Sequence, residues 1–258
     1  MHAARILTAL ILLPLVLFLI LKGSSTLLLI TVGGCSLLGW HEMARMAKLP
    51  GPVFVAGALA LSLGYAAQQT EPGLWAGLFF FLCFYLKNYD PQKTLKQLCL
   101  AFAGYTYVFL GFIHLYFLTT LPQGRFWLLF LMACVFGTDT GAFYAGKTLG
   151  KHRLIPRVSP KKTWEGAVGG TLLGTALGLL WGYYADLAGT GFLLAEALSL
   201  SLIGQLGDLL ESIFKRGLGV KDSGSLLPGH GGILDRTDAL IFAAPFLYWG
   251  LVLKDYVF

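Results

Sequence analysis

The sequence predicts an all-α polytopic membrane protein with about nine transmembrane helices, the amino terminus in the cytoplasm and the carboxyl terminus outside. Three observations predict it. Of 258 residues, 56% are apolar and only 12% charged, against roughly 25% charged in soluble domains, and the mean hydropathy is +0.71. The apolar residues run in long blocks parted by short polar joints and do not alternate as the strands of a membrane barrel do. The basic residues, finally, gather on one side of the blocks.

Read with a window of about 19 residues, the blocks lie at 5–21, 26–44, 52–68, 73–87, 104–121, 126–146, 165–185, 191–214 and 237–253. A hydrocarbon core of roughly 30 Å takes about 20 helical residues to cross. The first block follows Arg5 like a secretory signal, but Lys22-Gly23-Ser24-Ser25 offers no small-x-small cleavage site, so it is expected to stay as a helix. The block at 73–87 is short, and 93–121 has room for a further break. Gly166, Gly169, Gly170, Gly174 and Gly178 mark a helix built for close packing. Cys35, Cys83, Cys99 and Cys134 lie in or beside apolar spans without Cys-x-x-Cys spacing and read as packing residues.

With nine alternating spans, every one of the 19 basic residues except Lys22, Arg125 and Lys254 falls on the side of the amino terminus, which the positive-inside rule makes cytoplasmic. No soluble domain fits between the spans. Chemistry must therefore come from helix ends and loops.

Carboxylates in spans are costly and point to function or to paired structure. Asp139 lies toward the cytoplasmic end of the sixth span, Asp208 and Glu211 toward that of the eighth, and Asp235 and Asp238 at the start of the ninth. Asp208, Glu211 and Ser212 share a helix side at i, i+3, i+4, as do Asp235 and Asp238 at i, i+3. Such oxygen groups suit Mg²⁺; ion pairs with Lys215, Arg216 and Arg236 are the structural alternative. Two loops add phosphate-binding chemistry. In residues 150–166, Ser159-Pro160 reads as an N-cap and N1 pair whose free N–H groups would join Lys161 and Lys162 in attracting an anion. In residues 215–238, glycines permit N–H groups to face an anion while Lys215, Arg216 and Lys221 neutralise charge.

The run from Ser212 to Asp238 resembles the signature of the phosphatidate cytidylyltransferases (CDP-diacylglycerol synthases): Ser212, then Lys215-Arg216, Lys221-Asp222, Gly224, Pro228-Gly229-His230-Gly231-Gly232 and Asp235-Arg236-x-Asp238, all in matching places. Asp139–Gly146 leading to Ser159–Gly166 is a second matching stretch, with Lys147 where arginine is expected. The resemblance covers roughly the last 120 residues by motif and the earlier ones by hydropathy.

It implies transfer of a cytidylyl group from CTP to phosphatidic acid with release of pyrophosphate, in phospholipid biosynthesis. Asp208 and Asp235 are then the leading metal ligands, Asp222 and Asp238 the next; Lys221 and His230 join the catalytic set, with His230 as a hydrogen-bonding phosphate contact more than a proton donor. Ser159, Lys161, Lys162, Ser212, Lys215, Arg216, Gly231, Gly232 and Arg236 are expected on substrate. Residues 1–121 would supply lipid access and packing, and 122–258 the catalytic helices and loops. Mg²⁺, with a second metal ion as an option, is the expected cofactor. CTP, phosphatidic acid and membrane lipids are the expected partners, with room for a homodimer and no nucleic acid. The expected location is a bacterial cytoplasmic membrane with the site facing the cytoplasm. Two rivals remain at this level. A CTP-dependent lipid kinase of the dolichol-kinase kind would share the loop chemistry; an ion-coupled transporter would share the acids, but these sit at one face, with no inverted repeat.

Overall fold

A computed structural model describes residues 14–226 and 231–257, with side chains up to Lys254. Among the described residues the chain is mostly helical, with one hairpin and a long loop between the last two helices. Helix α1 covers residues 14–22, followed by α2 Ser25–Met46, α3 Gly51–Ala67, α4 Thr70–Lys87, α5 Thr94–Thr120 and α6 Gly124–Thr148. Strands β1 Arg153–Ile155 and β2 Ser159–Thr163 come next, then α7 Trp164–Tyr184, α8 Thr190–Gly217 and α9 Leu234–Val257. Five helices, α2, α5, α6, α8 and α9, are long and apolar enough to cross a bilayer, and α3 is apolar but shorter. The chain is an integral membrane protein by that measure; α4 and α7 stand at the expected spans 73–87 and 165–185 but outside the group of five. The break allowed for within 93–121 is absent, α5 being one continuous 27-residue helix.

Two compact units divide the chain. The first reaches to Tyr116 and also includes Leu218–Arg236; the second comprises Phe117–Gly217 and the chain from Thr237. In the first unit the core is aromatic. Trp40 is fully buried, stacks on Phe81 with centroids 5.9 Å apart and meets the edge of Tyr105 at 5.6 Å. Both polar handles are satisfied, since Trp40 Nε1 donates to the Phe54 carbonyl at 2.9 Å and Tyr105 OH to the Gly73 carbonyl at 2.8 Å.

In the second unit α6 and α7 touch along their backbones. Every fourth residue of α7 from Gly166 to Gly182 is a buried glycine, and a Cβ on Gly170 would come within 2.6 Å of the Thr138 carbonyl oxygen. The glycine stripe foreseen in the sequence is thus the contact face of α7, shifted only in that Gly182 belongs to it.

The mostly helical architecture agrees with the all-α expectation, to which the hairpin is a small addition, and the hairpin corrects the placing of a helix start at Ser159-Pro160. Strands β1 and β2 pair antiparallel, Arg153 opposite Thr163 and Ile155 opposite Ser159. Helix α7 begins four residues later than Pro160, with Thr163 as N-cap, its Oγ1 accepting from the Gly166 N–H at 3.1 Å. Pro160 lacks an N–H, yet a ribbon of only two strands leaves an outer edge where none is needed. Glu165 then favours the later start. Its carboxylate lies in the first turn of α7, where the helix dipole stabilises it, and accepts from the His152 backbone N–H at 3.2 Å while standing 2.6 Å from His152 Nδ1.

Candidate active site

The second unit gathers one cluster. A cavity of about 310 Å³ is lined by Asp139 of α6, Lys161 and Lys162 of β2, and Gln205 and Asp208 of α8. The hairpin is what brings the lysines there: as strand residues they project from an extended ribbon laid beside the start of α7. Lys162 Nζ sits 2.6 Å from Asp208 Oδ2. Its charge is also felt by Asp139, and the charges of Asp139, Asp208 and Asp238 act on one another, with Glu211 acting on Asp238 as well. Four acids from three helices thus share one electrostatic neighbourhood, tempered by a lysine.

The structural alternative weighed in the sequence is realised between Glu211 and Lys215. Glu211, buried, is ion-paired with Lys215 on the next turn of α8. Lys215 is therefore engaged within its own helix, and Lys162 stands against the leading acid. Ser212 Oγ is 3.5 Å from Asp208 Oδ1, at the edge of hydrogen-bonding range. Arg216 Nε donates to the Val158 carbonyl at 3.4 Å, tying the end of α8 to the hairpin turn. Ser159 opens β2 half-buried and is not among the residues lining the cavity.

The first unit holds the second cluster, the described part of loop 218–236. Asp235 Oδ2 accepts the Ser223 N–H at 2.9 Å and the Gly232 N–H at 2.9 Å, and Ser223 Oγ lies 3.0 Å from it. Opposite stands Glu42 of α2, buried, with Oε1 accepting the Ile233 N–H at 2.8 Å and Oε2 the Leu234 N–H at 3.0 Å. Ser223 Oγ is 2.9 Å from Glu42 Oε2, so its single proton is shared between two carboxylates. Glu42 thereby satisfies N–H groups at the start of α9 that have no partner within the helix, at the positive end of its dipole. Gly232 is required here, since a Cβ would strike both Ser223 Oγ and the Glu42 carboxylate. Gly231 adopts φ +82°, in the left-handed region.

The sequence assigned Asp235 to a metal; in the structure its Oδ2 orders the loop. Lys221 and Asp222 are exposed on that loop, Arg236 is exposed in the first turn of α9, and His230 lies outside the described residues together with Leu227, Pro228 and Gly229. Glu42 and Ser223 are the residues that sequence reasoning missed. A carboxylate in the apolar block 26–44 was the available signal.

The donor set suits a hard divalent cation, because it is made of carboxylate oxygens and already attracts the Lys162 ammonium group to Asp208. Among the described residues no three carboxylate, histidine or cysteine groups close into a metal cage. Mg²⁺ needs none, since it is commonly held by one or two carboxylates with substrate phosphates and water completing its shell.

Apolar helices long enough to span, a cavity that pairs lysines with carboxylates and a glycine loop with ordered N–H groups have the chemistry expected of a membrane enzyme acting on phosphate groups. The chain belongs to the cytidylyltransferase family, whose sequence model matches residues 3–253. It is 36% identical over 251 residues to the phosphatidate cytidylyltransferase of Staphylococcus aureus (strain COL), covering 94% of this chain and 96% of that protein. The enzyme of the same name from Staphylococcus saprophyticus is 37% identical over 253 residues, with the same coverage, and that of Staphylococcus haemolyticus 34% over 251.

Proposed function

We propose that the chain transfers the cytidylyl group of CTP to phosphatidic acid, giving CDP-diacylglycerol and pyrophosphate. Family membership over nearly the whole chain supports the reaction class, and the observation that carries the reading to this site is the cavity in which Lys161 and Lys162 face Asp139 and Asp208. Substrate and nucleotide are both polyanions. A phosphate oxygen of the lipid forms a bond to the α-phosphorus while the bond from that phosphorus to the β-phosphate oxygen breaks, so positioning and charge neutralisation supply most of the rate.

The residues divide that work. Lys161 and Lys162 attract phosphate, and Lys162 exchanges its partner Asp208 for a phosphate oxygen when substrate enters. Asp208, with Asp139 and Asp238 beside it, would hold Mg²⁺; the ion, when bound, neutralises phosphate charge and fixes the pyrophosphate as leaving group. Lys221 and the N–H groups of the glycine loop bind phosphate oxygens, with Glu42 and Asp235 keeping that loop in shape. A lipid phosphate monoester is ionised near neutral pH, so no general base is required. The site faces the cytoplasm, where the basic loops would lie.

Purified protein given CTP labelled at the α-phosphorus and phosphatidic acid should produce labelled lipid and free pyrophosphate. Label appearing in CDP, with a newly phosphorylated lipid, would instead mark a CTP-dependent lipid kinase. No transfer of either kind would overturn the reading.

A further inference from the structure

A second cavity in the same unit, about 510 Å³, adjoins the charged one, and Leu154, Ala167 and Gln205 line both. Its walls are two helical stripes. Trp164, Val168 and Leu172 stand at i, i+4, i+8 on α7, and Leu202, Leu206 and Leu209 at i, i+4, i+7 on α8. Trp164, Val168, Leu172 and Leu206 are each more than half exposed, although the opposite face of α7 is closed against α6 by glycines. At the junction the Gln205 amide is fixed across the helices, Nε2 donating to Thr171 Oγ1 at 2.9 Å and to the Ser201 carbonyl at 3.2 Å. Lining chemistry changes there from lysine and carboxylate to aliphatic side chains.

Resting on the reaction proposed above, we propose that this groove seats one acyl chain of the lipid phosphate, with the phosphate beside Lys161 and Lys162 and the glycerol backbone level with Gln205. Continuity selects the occupant. A molecule whose anionic group sits among the lysines reaches the groove only with an apolar tail, and CTP has none. A zwitterionic lipid would bring a quaternary ammonium toward the same two lysines. The volume lies within the roughly 300–1,000 Å³ of ligand pockets, and the shared wall makes head and tail subsites parts of one path. Groove shape, set by Val168, Leu172 and Leu206, then decides which chains are accepted.

The test labels wild-type protein in detergent with phosphatidic acid carrying a photoreactive diazirine in one acyl chain, followed by mass spectrometry. Adducts are expected on Val168, Leu172 or Leu206, suppressed by excess dioleoyl phosphatidic acid and not by dioleoyl phosphatidylcholine. Equal suppression by both lipids would mean that the groove takes bulk lipid, and adducts confined to other helices would empty it; either overturns the proposal. In parallel, Val168→Trp and Leu206→Trp should lower kcat/KM for dioleoyl phosphatidic acid about tenfold or more, as filling an apolar pocket does, while kcat/KM for dihexanoyl phosphatidic acid and KM for CTP stay within about twofold. Equal losses on both lipids would also overturn it. Labelling needs no turnover: a protein that labels in the groove but makes no CDP-lipid sinks the proposed reaction alone, and turnover without groove labelling sinks the groove alone.

Discussion

Asp208 and Lys162 form a contact whose two readings diverge on mutation. If Asp208 holds the metal, Asp208→Asn should cut Mg²⁺-dependent transfer by more than about 100-fold, beyond the 10–100-fold typical of groups that only support a metal's ligands, with thermal unfolding in detergent little changed. If it serves only to balance Lys162, the same change strands a part-buried cation and removes about 1–3 kcal/mol of stability, less than for a fully buried pair because both side chains keep some exposure to water. Activity across a Mg²⁺ titration, read beside the melting curve, separates the two. Lys161→Ala and Lys221→Ala should raise KM for CTP or for lipid, with arginine restoring part of the activity, since its planar fork differs from a compact ammonium; unchanged kinetics in both alanine variants would remove these lysines from the site. Glu42→Gln keeps the shape of the side chain but turns an NH₂ toward an N–H of Ile233 or Leu234. A loss of about 1–3 kcal/mol is expected for the donor left unsatisfied, visible as a lower melting temperature in detergent. An unchanged melting temperature would mean that the loop does not depend on Glu42.

At the level of elements, the long helices were legible because their evidence is local: apolar length, and a glycine every fourth residue from Gly166. The hairpin was not. Ser159-Pro160 carries a sound capping signal, but it competes with Thr163, whose hydroxyl reaches the Gly166 N–H and whose neighbour Glu165 engages His152, and only the folded ribbon decides between them. The acids were found by their cost in an apolar chain, yet their partners were not, because Lys162 is 46 residues before Asp208 and no periodicity links them. Two element-level outcomes follow. Thr163→Ala should cost about 1 kcal/mol through the lost cap and, by loosening the strand that carries Lys161 and Lys162, raise KM more than it lowers kcat. Gly170→Leu should part α6 from α7 and abolish stable protein in detergent, since backbone on α6 stands where the side chain must go. Gel filtration that finds this variant intact would contradict the helix contact.

On the scale of the molecule, the bias of basic residues argues for an inside amino terminus and an outside carboxyl terminus. Reporter fusions after Phe258 and within the turn of the β1–β2 hairpin should report opposite sides of the membrane, and a cytoplasmic carboxyl terminus would overturn the nine-span topology. Loop 218–236 groups with helices made early in the chain, and Glu42 meets Leu234 across 192 residues. A nascent chain therefore exports an acid into the bilayer in its second helix long before the groups that satisfy it leave the ribosome. Any product cut short before Ile233 lacks the two backbone donors that answer that acid, so the last loop completes a polar pairing that the second helix has opened.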